Sequence, residues 1–364
     1  MNLIKALNNI DDLDVEVVTC KYEVSNDFTS SFDGVKIHYL SSVKPKFFTR
    51  MVRDVPKISR KILSLEPDLI HSHMDFYHYA ANRTKLPTIS TVHAVDYQRS
   101  ENYGYGIRYG IIRRFKARYT ERYMLRNSKG IILINPFVEE AFNRYGLIIQ
   151  GKKETISNPI NNSFFNLSDN QSEFRILYLG HIYPRKRLFD LVKAFDKSKK
   201  NSKSIKMTIV GKVQDKNYYN KITKFIKSNN IKDIDFRQNI SEDEIKELYS
   251  RMSVLCLPSE YETAPMVISQ AMASGKPVIT TNLCGMPWMI EHGQTGFLHD
   301  LGDIDALSSH IDELYKNSNL RIYGCPCFPS HDDPMLRTVF VALQAQRCLR
   351  FDKYPFHFEI GICG

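Results

Sequence analysis

The stretch Pro258-Ser-Glu-Tyr-Glu-Thr-Ala-Pro-Met-Val-Ile-Ser-Gln-Ala-Met-Ala-Ser-Gly-Lys-Pro-Val278 decides the fold class. It follows an apolar, strand-like run that ends at Leu257, and it opens with a polar loop that carries Glu262. Pro265 then begins a helix of small residues, which Gly275 ends before the next strand. This order is typical of parallel α/β sheets, whose ligands bind at the carboxyl ends of the strands. Because helix N-termini favour anions, the stretch predicts an anion site beside a carboxylate.

The same alternation of strands and helices runs along the chain on both sides of this stretch. Apolar strand patterns alternate with helical ones up to about residue 145, a polar segment without periodicity follows over 161–172, and the pattern restarts at residue 174. Alternating strands and helices favour parallel sheets. We therefore predict an α/β fold of two Rossmann-like, doubly wound domains that face each other across a cleft, over residues 1–165 and 172–322.

Both ends of the chain depart from this pattern. Residues 2–8 are predicted to be helical, so a first strand and its glycine-rich turn, expected before such a helix, are missing. Four of the seven cysteines lie beyond residue 323, but only one lysine, Lys353, does. We interpret 323–364 as an atypical, aberrant tail, for which a frameshifted or foreign sequence is favoured over a genuine extension.

Composition and charge narrow the class of protein. The chain has 364 residues, 43% hydrophobic and 25% charged, which is a globular composition. It has no membrane-spanning apolar run, no signal peptide and no zinc-type pairing of cysteines, so we expect a reduced, cytoplasmic protein. The net charge is +10, and residues 1–165 hold +7 of it, from 24 Lys/Arg against 17 Asp/Glu. The basic segments 44–61 and 108–129 attract anionic lipid, nucleic acid or acidic substrates, but a solvated helix face explains them equally well.

A second loop, Gly180 to Arg187, follows a strand and precedes a helix. It ends in Arg185, Lys186 and Arg187, in or just before the first helical turn. The helix dipole disfavours cations there, so three bases are understandable if an anion such as a diphosphate binds among them. A solvated basic turn is the alternative.

The loop after Leu257 offers complementary groups. Its backbone amides between Thr263 and Met266 are free donors, and Gln270 follows eight residues after Glu262. A diphosphate held by Lys186, an arginine and these amides would be a good leaving group, because each well-aimed donor contributes roughly 3 kcal/mol in a transition state. Gly285 could let the backbone approach a ligand.

Three histidines, His71, His73 and His93, lie at or just past predicted strand ends. The spacing of His71 and His73 suits a metal, but no third ligand is evident, so no metal site is predicted. For His93, a structural and a functional role are equally compatible with its position. The chain has no GxSxG, HExxH or GxxxxGK[ST] motif.

Taken together, these blocks resemble the retaining glycosyltransferases of family 4, the "group 1" enzymes with the GT-B fold. The resemblance covers about residues 1–322. Its blocks are Leu179 to Phe195, Pro258 to Val278, Gly285 with Gly293 to Gly296, and the weaker signatures Pro67 to His71, Thr91 to His93 and Ser157 to Pro159.

The resemblance implies transfer of a hexose from a UDP- or GDP-sugar donor to a glycan or lipid-linked acceptor, with retention of the anomeric configuration and without a metal or other cofactor. It implies that Glu262 and His93 are catalytic and that Gln270, Glu262 and Thr263 bind the ribose and sugar. The residues implied for the diphosphate are Lys186, Arg185, Gly180, His181, Ala264, Pro265 and Met266.

Departures from the family pattern keep other hypotheses open. His181 stands where arginine is usual, Gln270 replaces a glutamate, and Trp288 takes a position that is often acidic. A non-catalytic remnant, a basic nucleic-acid-binding protein and a sugar-nucleotide epimerase are the alternatives. The basic first half indicates peripheral association with an anionic membrane, at its inner face, rather than binding of nucleic acid.

Overall fold

The computed structural model describes the chain except residues 1, 2, 5, 6, 8, 9, 11, 12, 23, 43–49, 74, 96–106, 202, 203, 322–356 and 362–364. The strands of the described part are β1 Asp14–Lys21, β2 Phe28–Phe32, β3 Val35–Ser41, β4 Leu69–His73, β5 Thr88–Val92, β6 Gly130–Leu133, β7 Lys152–Thr155, β8 Arg175–Leu179, β9 Lys206–Val210, β10 Ile234–Arg237, β11 Val254–Leu257, β12 Val278–Thr281, β13 Gly296–His299 and β14 His357–Gly361. Its α-helices are α1 Val55–Leu65, α2 Asp75–Arg83, α3 Ile107–Asn127, α4 Pro136–Arg144, α5 Leu188–Asn201, α6 Lys216–Ser228, α7 Glu242–Arg251, α8 Met266–Ala273 and α9 Ile304–Lys316.

The chain divides into two compact units. The first unit comprises residues 1–159 with 338–364, and the second comprises 160–337. The first unit contains an eight-stranded sheet in the order β2-β3-β1-β14-β4-β5-β6-β7. Its strands pair in parallel except β2, which forms an antiparallel hairpin with β3. The predicted α/β class with parallel sheets is therefore confirmed.

The strand at the centre of the first sheet, β14, comes from late in the sequence. Strand β14 lies between β1 and β4 and pairs in parallel with both. This is where a strand that precedes β1 in the chain would otherwise be expected, so part of the segment predicted to be an atypical tail belongs to the first sheet. Two unpaired strand edges in the middle of a sheet would leave backbone donors and acceptors unsatisfied, and β14 satisfies them. The rest of the predicted tail, residues 323–356 and 362–364, lies outside the described part.

Alternating residues of the first sheet build two apolar layers. On one face, Val15 and Val17 of β1 pack with Ile37 of β3. On the opposite face, Val18 of β1 packs with Ile58 of α1, in a cluster that also holds Ala80 of α2. Because side chains on a strand alternate between faces, this sheet buries both faces as a parallel sheet must.

The second unit has a six-stranded parallel sheet in the order β10-β9-β8-β11-β12-β13. Its central strands are largely buried, and β11 is buried along its whole length from Val254 to Leu257. One continuous apolar core packs the helices against this sheet. From β8 the chain continues to β9 and β10 on one side, and from β11 it continues to β12 and β13 on the other side. The strand order therefore reverses between β8 and β11, and open α/β sheets bind ligands at such a switch point.

The polar segment 161–172, which lacks strand or helix periodicity in the sequence, makes specific contacts with the second unit. Residues Asn162–Asn166 form a 3₁₀-helix, and Phe164 within it is 2% exposed. The Phe164 ring packs edge-to-face on Tyr249, with ring centres 5.3 Å apart. Further along, the carboxylate of Asp169 accepts a 2.8 Å hydrogen bond from the buried ammonium of Lys276. The second unit therefore holds this segment in place by packing and by an ion pair.

Candidate functional site

Two loops of the second unit start side by side because their strands are neighbours. Strands β8 and β11 pair in parallel, with Ile176 opposite Val254 and Leu177 opposite Leu255. The loop 180–187 leaves the carboxyl end of β8, and the loop 258–265 leaves the carboxyl end of β11. A parallel pair of strands thus puts both chemically interesting loops at one edge of one sheet.

Lys186 and Glu262 meet at this edge. The Lys186 ammonium donates a hydrogen bond to Oε1 of Glu262 in an ion pair, and the two side chains are only 13% and 15% exposed. Oγ of Ser259 donates a second hydrogen bond of 2.9 Å to the same carboxylate oxygen. The two residues that sequence reasoning assigned to opposite parts of one ligand are in direct contact, and each neutralises the other's charge.

Arg185 fastens the two loops to each other. Its Nη1 donates a 2.6 Å hydrogen bond to the carbonyl oxygen of Tyr261, and its guanidinium lies over the rings of Tyr183 and Tyr261. In the reverse direction, the amide of Glu260 donates to the carbonyl oxygen of Arg185 at 2.9 Å. Because a guanidinium has five donors in a fixed fork, these contacts orient it within the protein. Its assignment as a diphosphate ligand stays a prediction.

The neighbouring positions of the first loop have different environments. His181 is exposed, and its carbonyl oxygen accepts a 2.9 Å hydrogen bond from the buried Tyr178 hydroxyl. A β-carbon on Gly180 would lie 3.9 Å from Cε of Lys186, so the lysine stem crosses directly over this glycine. A β-carbon on Gly211 would lie 1.9 Å from the Gly180 carbonyl oxygen, so the backbone at the end of β9 packs tightly against the loop.

The second loop leads into α8 without a capping side chain. Thr263 is buried and Ala264, Pro265 and Met266 are partly exposed, with Pro265 at the N-cap position. Proline has no side-chain acceptor, so it leaves the first amides of α8 to other partners. The start of α8 therefore offers an anion the backbone donors that a helix N-terminus provides.

Gly285 packs against the protein's own backbone, whereas the sequence suggested that it could let the backbone approach a ligand. Its amide donates a 2.9 Å hydrogen bond to the Glu262 carbonyl oxygen. A β-carbon at this position would lie 1.6 Å from the Thr263 carbonyl oxygen, which no side chain can do. The glycine is required because the segment after β12 and the loop after β11 touch through their main chains.

Gln270 lies one turn into α8 and is partly exposed. The hydroxyl of the fully buried Tyr249 lies 3.1 Å from its Oε1 and also 3.1 Å from the Val267 carbonyl oxygen. Tyr249 thereby restrains the amide that sequence reasoning assigned to a ribose.

His93 belongs to the first unit, where it directly follows β5. Its Nε2 lies 2.8 Å from Nδ1 of the buried His73. His71 lies next to His73, with ring centres 4.4 Å apart, and its Nε2 lies 2.6 Å from Oγ1 of Thr91. Burial lowers the pKa of His93, lowers that of His71 to about 4, and lowers that of His73 well below the usual 6.5. Within the described ranges, no group of three or more His, Cys, Asp or Glu residues could hold a metal ion.

Sequence reasoning missed several residues that shape the site. Ser259, Tyr261 and Tyr249 make the hydrogen bonds that hold Glu262, Arg185 and Gln270, as described above. Ser259 and Tyr261 lie within the stretch from Pro258 to Val278 that the sequence singled out, whereas Tyr249 belongs to α7. Nothing in a single sequence distinguishes such supporting residues, because their hydrogen-bond partners are set by the tertiary fold.

Comparison with known proteins shows which family has this sequence pattern. Residues 159–323 match the family model described as "Glycosyl transferases group 1", and residues 1–164 match the one described as "Glycosyltransferase Family 4". The two models together account for residues 1–323. The chain is a glycosyltransferase of the family 4 type.

Individual proteins agree with this family. The glycosyltransferase is 27% identical over 327 residues to an uncharacterized glycosyltransferase of Methanocaldococcus jannaschii, covering 88% of this chain and 84% of that one. Its fold is similar to sucrose-phosphate synthase from Thermosynechococcus elongatus, with a TM-score of 0.77 and 20% identity, covering 96% and 91% of the two chains. It is also similar to Anabaena HepE in complex with UDP and glucose, with a TM-score of 0.70 and 16% identity over 88% and 87%. The predicted GT-B fold is therefore confirmed, and neither a remnant nor a nucleic-acid-binding protein is favoured.

No helix in the described part of the glycosyltransferase is both long enough and apolar enough to cross a bilayer.

Proposed function

We propose that this glycosyltransferase transfers a hexose from a UDP- or GDP-sugar to a glycan or lipid-linked acceptor with retention of the anomeric configuration. The contact between Lys186 and Glu262, next to the uncapped start of α8, carries this proposal. It brings a cation, a carboxylate and free amides to one edge of a parallel sheet. That is the combination that a negatively charged diphosphate linked to a neutral, hydroxyl-rich sugar requires.

Binding of the donor would rearrange the charges of this pair. In the protein alone Lys186 neutralises Glu262. When a diphosphate binds, the ammonium can turn to the phosphate oxygens, and the carboxylate is then free to accept hydrogen bonds from sugar hydroxyls. In the transition state the leaving diphosphate gains negative charge, and the lysine with the α8 amides would stabilise it. Attack from the face that the leaving group vacates would retain the configuration. HepE, of similar fold, was crystallised in complex with UDP, which supports the donor class.

Calorimetric titration with UDP and with GDP tests donor binding. We expect heat of binding with one of them, and a loss of affinity of about 10- to 100-fold in Lys186→Ala, because a hydrogen bond to a charged group contributes about 1.5–3 kcal/mol. Lys199→Ala is the matched control, because Lys199 is also ion-paired, with Asp233, and has an 18% exposed side chain. No heat with either nucleotide for a folded sample would count against the proposal.

The stereochemical proposal has its own measurement. With water as acceptor, the first sugar released should keep the donor's anomeric configuration, which proton NMR detects before the anomers equilibrate. Release of the opposite anomer would show an inverting enzyme.

We also propose that transfer proceeds without a metal or other cofactor. Lys186 and the amides at the start of α8 can supply the positive charge that a divalent cation provides elsewhere. Transfer rates with excess EDTA and with added Mg²⁺ should then agree. Activity that requires Mg²⁺ would overturn this part of the proposal.

We further propose that the first unit docks on the cytoplasmic face of an anionic membrane, where a lipid-linked acceptor would be found. Phe115 and Tyr119 of α3 are 77% and 53% exposed, and the exposed Arg122 and Arg126 continue the same helical face. Aromatic rings beside arginines suit the interface of an anionic bilayer, where each basic residue contributes about 1 kcal/mol.

Vesicle flotation tests this surface. Binding is expected to vesicles with 30% anionic lipid and not to zwitterionic ones, and replacing Phe115 and Tyr119 by serine should release the protein. Ile148→Ser is the control, because Ile148 is 72% exposed in the same unit but lies outside α3. Equal binding by both variants would contradict the docking proposal.

A further inference from the structure

His93, which the sequence assigned to catalysis, is paired with a buried histidine in the interior of the first unit. His73 is the last residue of β4 and pairs in register with Thr91 of β5. His93 follows Thr91 by two residues, so it projects toward the same face. The two rings lie 5.1 Å apart with an angle of 27° between their planes, and Nδ1 of His73 is 2.8 Å from Nε2 of His93.

The other nitrogen of each ring decides the direction of this hydrogen bond. Nε2 of His73 is fully buried and has no hydrogen-bond partner among the described residues. Both rings are neutral at neutral pH, because burial lowers the pKa of His73 and of His93. A neutral imidazole carries one N–H, and which nitrogen carries it follows from the hydrogen bonds around it.

Two arrangements of the protons are available. If His93 donates, the proton of His73 sits on its buried Nε2 and is an unpaired donor. If His73 donates from Nδ1, its buried Nε2 carries no proton, and the group left without a partner is an acceptor rather than an N–H donor. Orphaned buried N–H groups are the rarer of the two in proteins, so the second arrangement is favoured.

We propose that His73 is a positioning residue, which donates its Nδ1–H to Nε2 of His93 and thereby keeps the His93 proton on Nδ1. No described residue forms a hydrogen bond with Nδ1 of His93, so this N–H is available to a hydroxyl or phosphate oxygen of a substrate. The inference rests on the proposed function, because it takes His93 to face the substrate. His93 then acts as a neutral donor of fixed orientation, and no proton is transferred between the two rings.

Long-range ¹H–¹⁵N correlation spectra of the full chain with ¹⁵N-labelled histidine test the tautomers directly. In the wild type both His73 and His93 should show the Nδ1–H pattern. His73→Phe keeps a ring but removes the donor, so His93 should lose its Nδ1–H preference. His73→Asn restores it, because an asparagine amide nitrogen lies close to where Nδ1 of histidine lies. An Nε2–H tautomer of His93 in the wild type overturns the inference, even if no variant folds.

Transfer activity tests whether the tautomer matters. In His73→Phe, kcat should fall about tenfold, equivalent to one lost hydrogen bond, while KM for the donor stays unchanged. His73→Asn should recover most of the loss. His78→Asn is the control, because His78 is equally buried but bonds to Ser72 rather than to His93. Unchanged activity in His73→Phe, despite an altered tautomer, would refute the positioning role. Failure of nucleotide binding, in contrast, would refute the proposed function and leave the tautomer spectra unaffected.

Discussion

Replacing Gly285 by alanine should destabilise the second unit by about 3 kcal/mol, mainly through a backbone contact. The new β-carbon would lie 1.6 Å from the Thr263 carbonyl oxygen, whereas real β-carbons essentially never approach below 3.0 Å, so the two segments must separate by at least 1.4 Å. Such a separation breaks the 2.9 Å hydrogen bond from the Gly285 amide to Glu262, about 1 kcal/mol. Overpacking adds about 1–3 kcal/mol.

Gly293→Ala is the control that isolates the backbone conformation. Gly293 has a φ of +79° and open space around its Cα, so alanine there costs only left-handed strain, about 1 kcal/mol. Gly285 has a φ of −83°, which any residue adopts. The two variants therefore separate a steric cost from a conformational one.

Trp288 provides the measurement. It is the only tryptophan of the chain, lies three residues after Gly285 and is 52% exposed, so its fluorescence reports on unfolding of this unit. In urea titrations Gly285→Ala should lower the midpoint at an unchanged slope. Its Tm should fall by about 6–12 °C, at about 2–4 °C per kcal/mol for a unit of this size. A loss of stability in Gly285→Ala no greater than that in Gly293→Ala would refute the reasoning.

Three further predictions concern charged groups. Glu262→Gln should slow transfer at least tenfold while nucleotide affinity in calorimetry stays within about threefold, because Lys186 is then free to meet the diphosphate; equal losses of both would contradict separate roles. The Lys276 ammonium holds the pKa of the Asp169 carboxyl below its usual value although burial opposes this, whereas burial lowers the pKa of Lys276. Burial therefore makes the charge of Lys276 costly, so the ion pair positions Asp169 but contributes little net stability. Lys276→Met should change the unfolding free energy by less than about 2 kcal/mol in urea titrations at pH 7; a larger loss would show that the pair stabilises strongly. Burial lowers the pKa of His78 to about 3, below the unfolded value near 6.5, so the unfolded chain binds the extra proton and stability must fall as the pH falls from about 6.5 toward 4. Replacing His78 by asparagine should flatten this loss by about 1.4 kcal/mol per pH unit in urea titrations followed by far-UV circular dichroism, and an unchanged slope would show that another group titrates.

Most buried strands were predictable from the sequence, and the two exposed edge strands of the first sheet were not. Strands such as β5 and β9 are buried along all or nearly all of their length, and their bounds agree with the sequence prediction. Strand β7 is exposed along its whole length and reads Lys-Lys-Glu-Thr, and β2 is almost entirely exposed, so neither has a hydrophobic pattern. A local signal for β2 did exist in Asp33-Gly34, both with positive φ, which is a typical hairpin turn.

The sequence identified the two loops of the site but not the separate role of each basic side chain in them. Arg185, Lys186 and Arg187 are consecutive in the sequence, and all three are cations. In the structure Lys186 pairs with Glu262, Arg185 bonds to a backbone carbonyl, and Nε of Arg187 lies 2.8 Å from Oδ2 of Asp190. Arg187 itself has a left-handed conformation, with a φ of 53°, at the end of the short turn that precedes α5. A single sequence does not reveal such a turn when the residue is arginine rather than glycine.

The place of β14 between β1 and β4 has a consequence for biosynthesis. The middle of the first sheet joins β14 to strands that are synthesised much earlier, so this part of the sheet cannot form until the ribosome has reached β14. At about 5–20 residues per second, that takes roughly 20–70 seconds. For most of that time the emerging β1 and β4 lack their shared neighbour and present bare edges to other nascent chains. Chaperones that shield exposed strands should therefore raise the yield of this protein more than that of one whose central strands are made first.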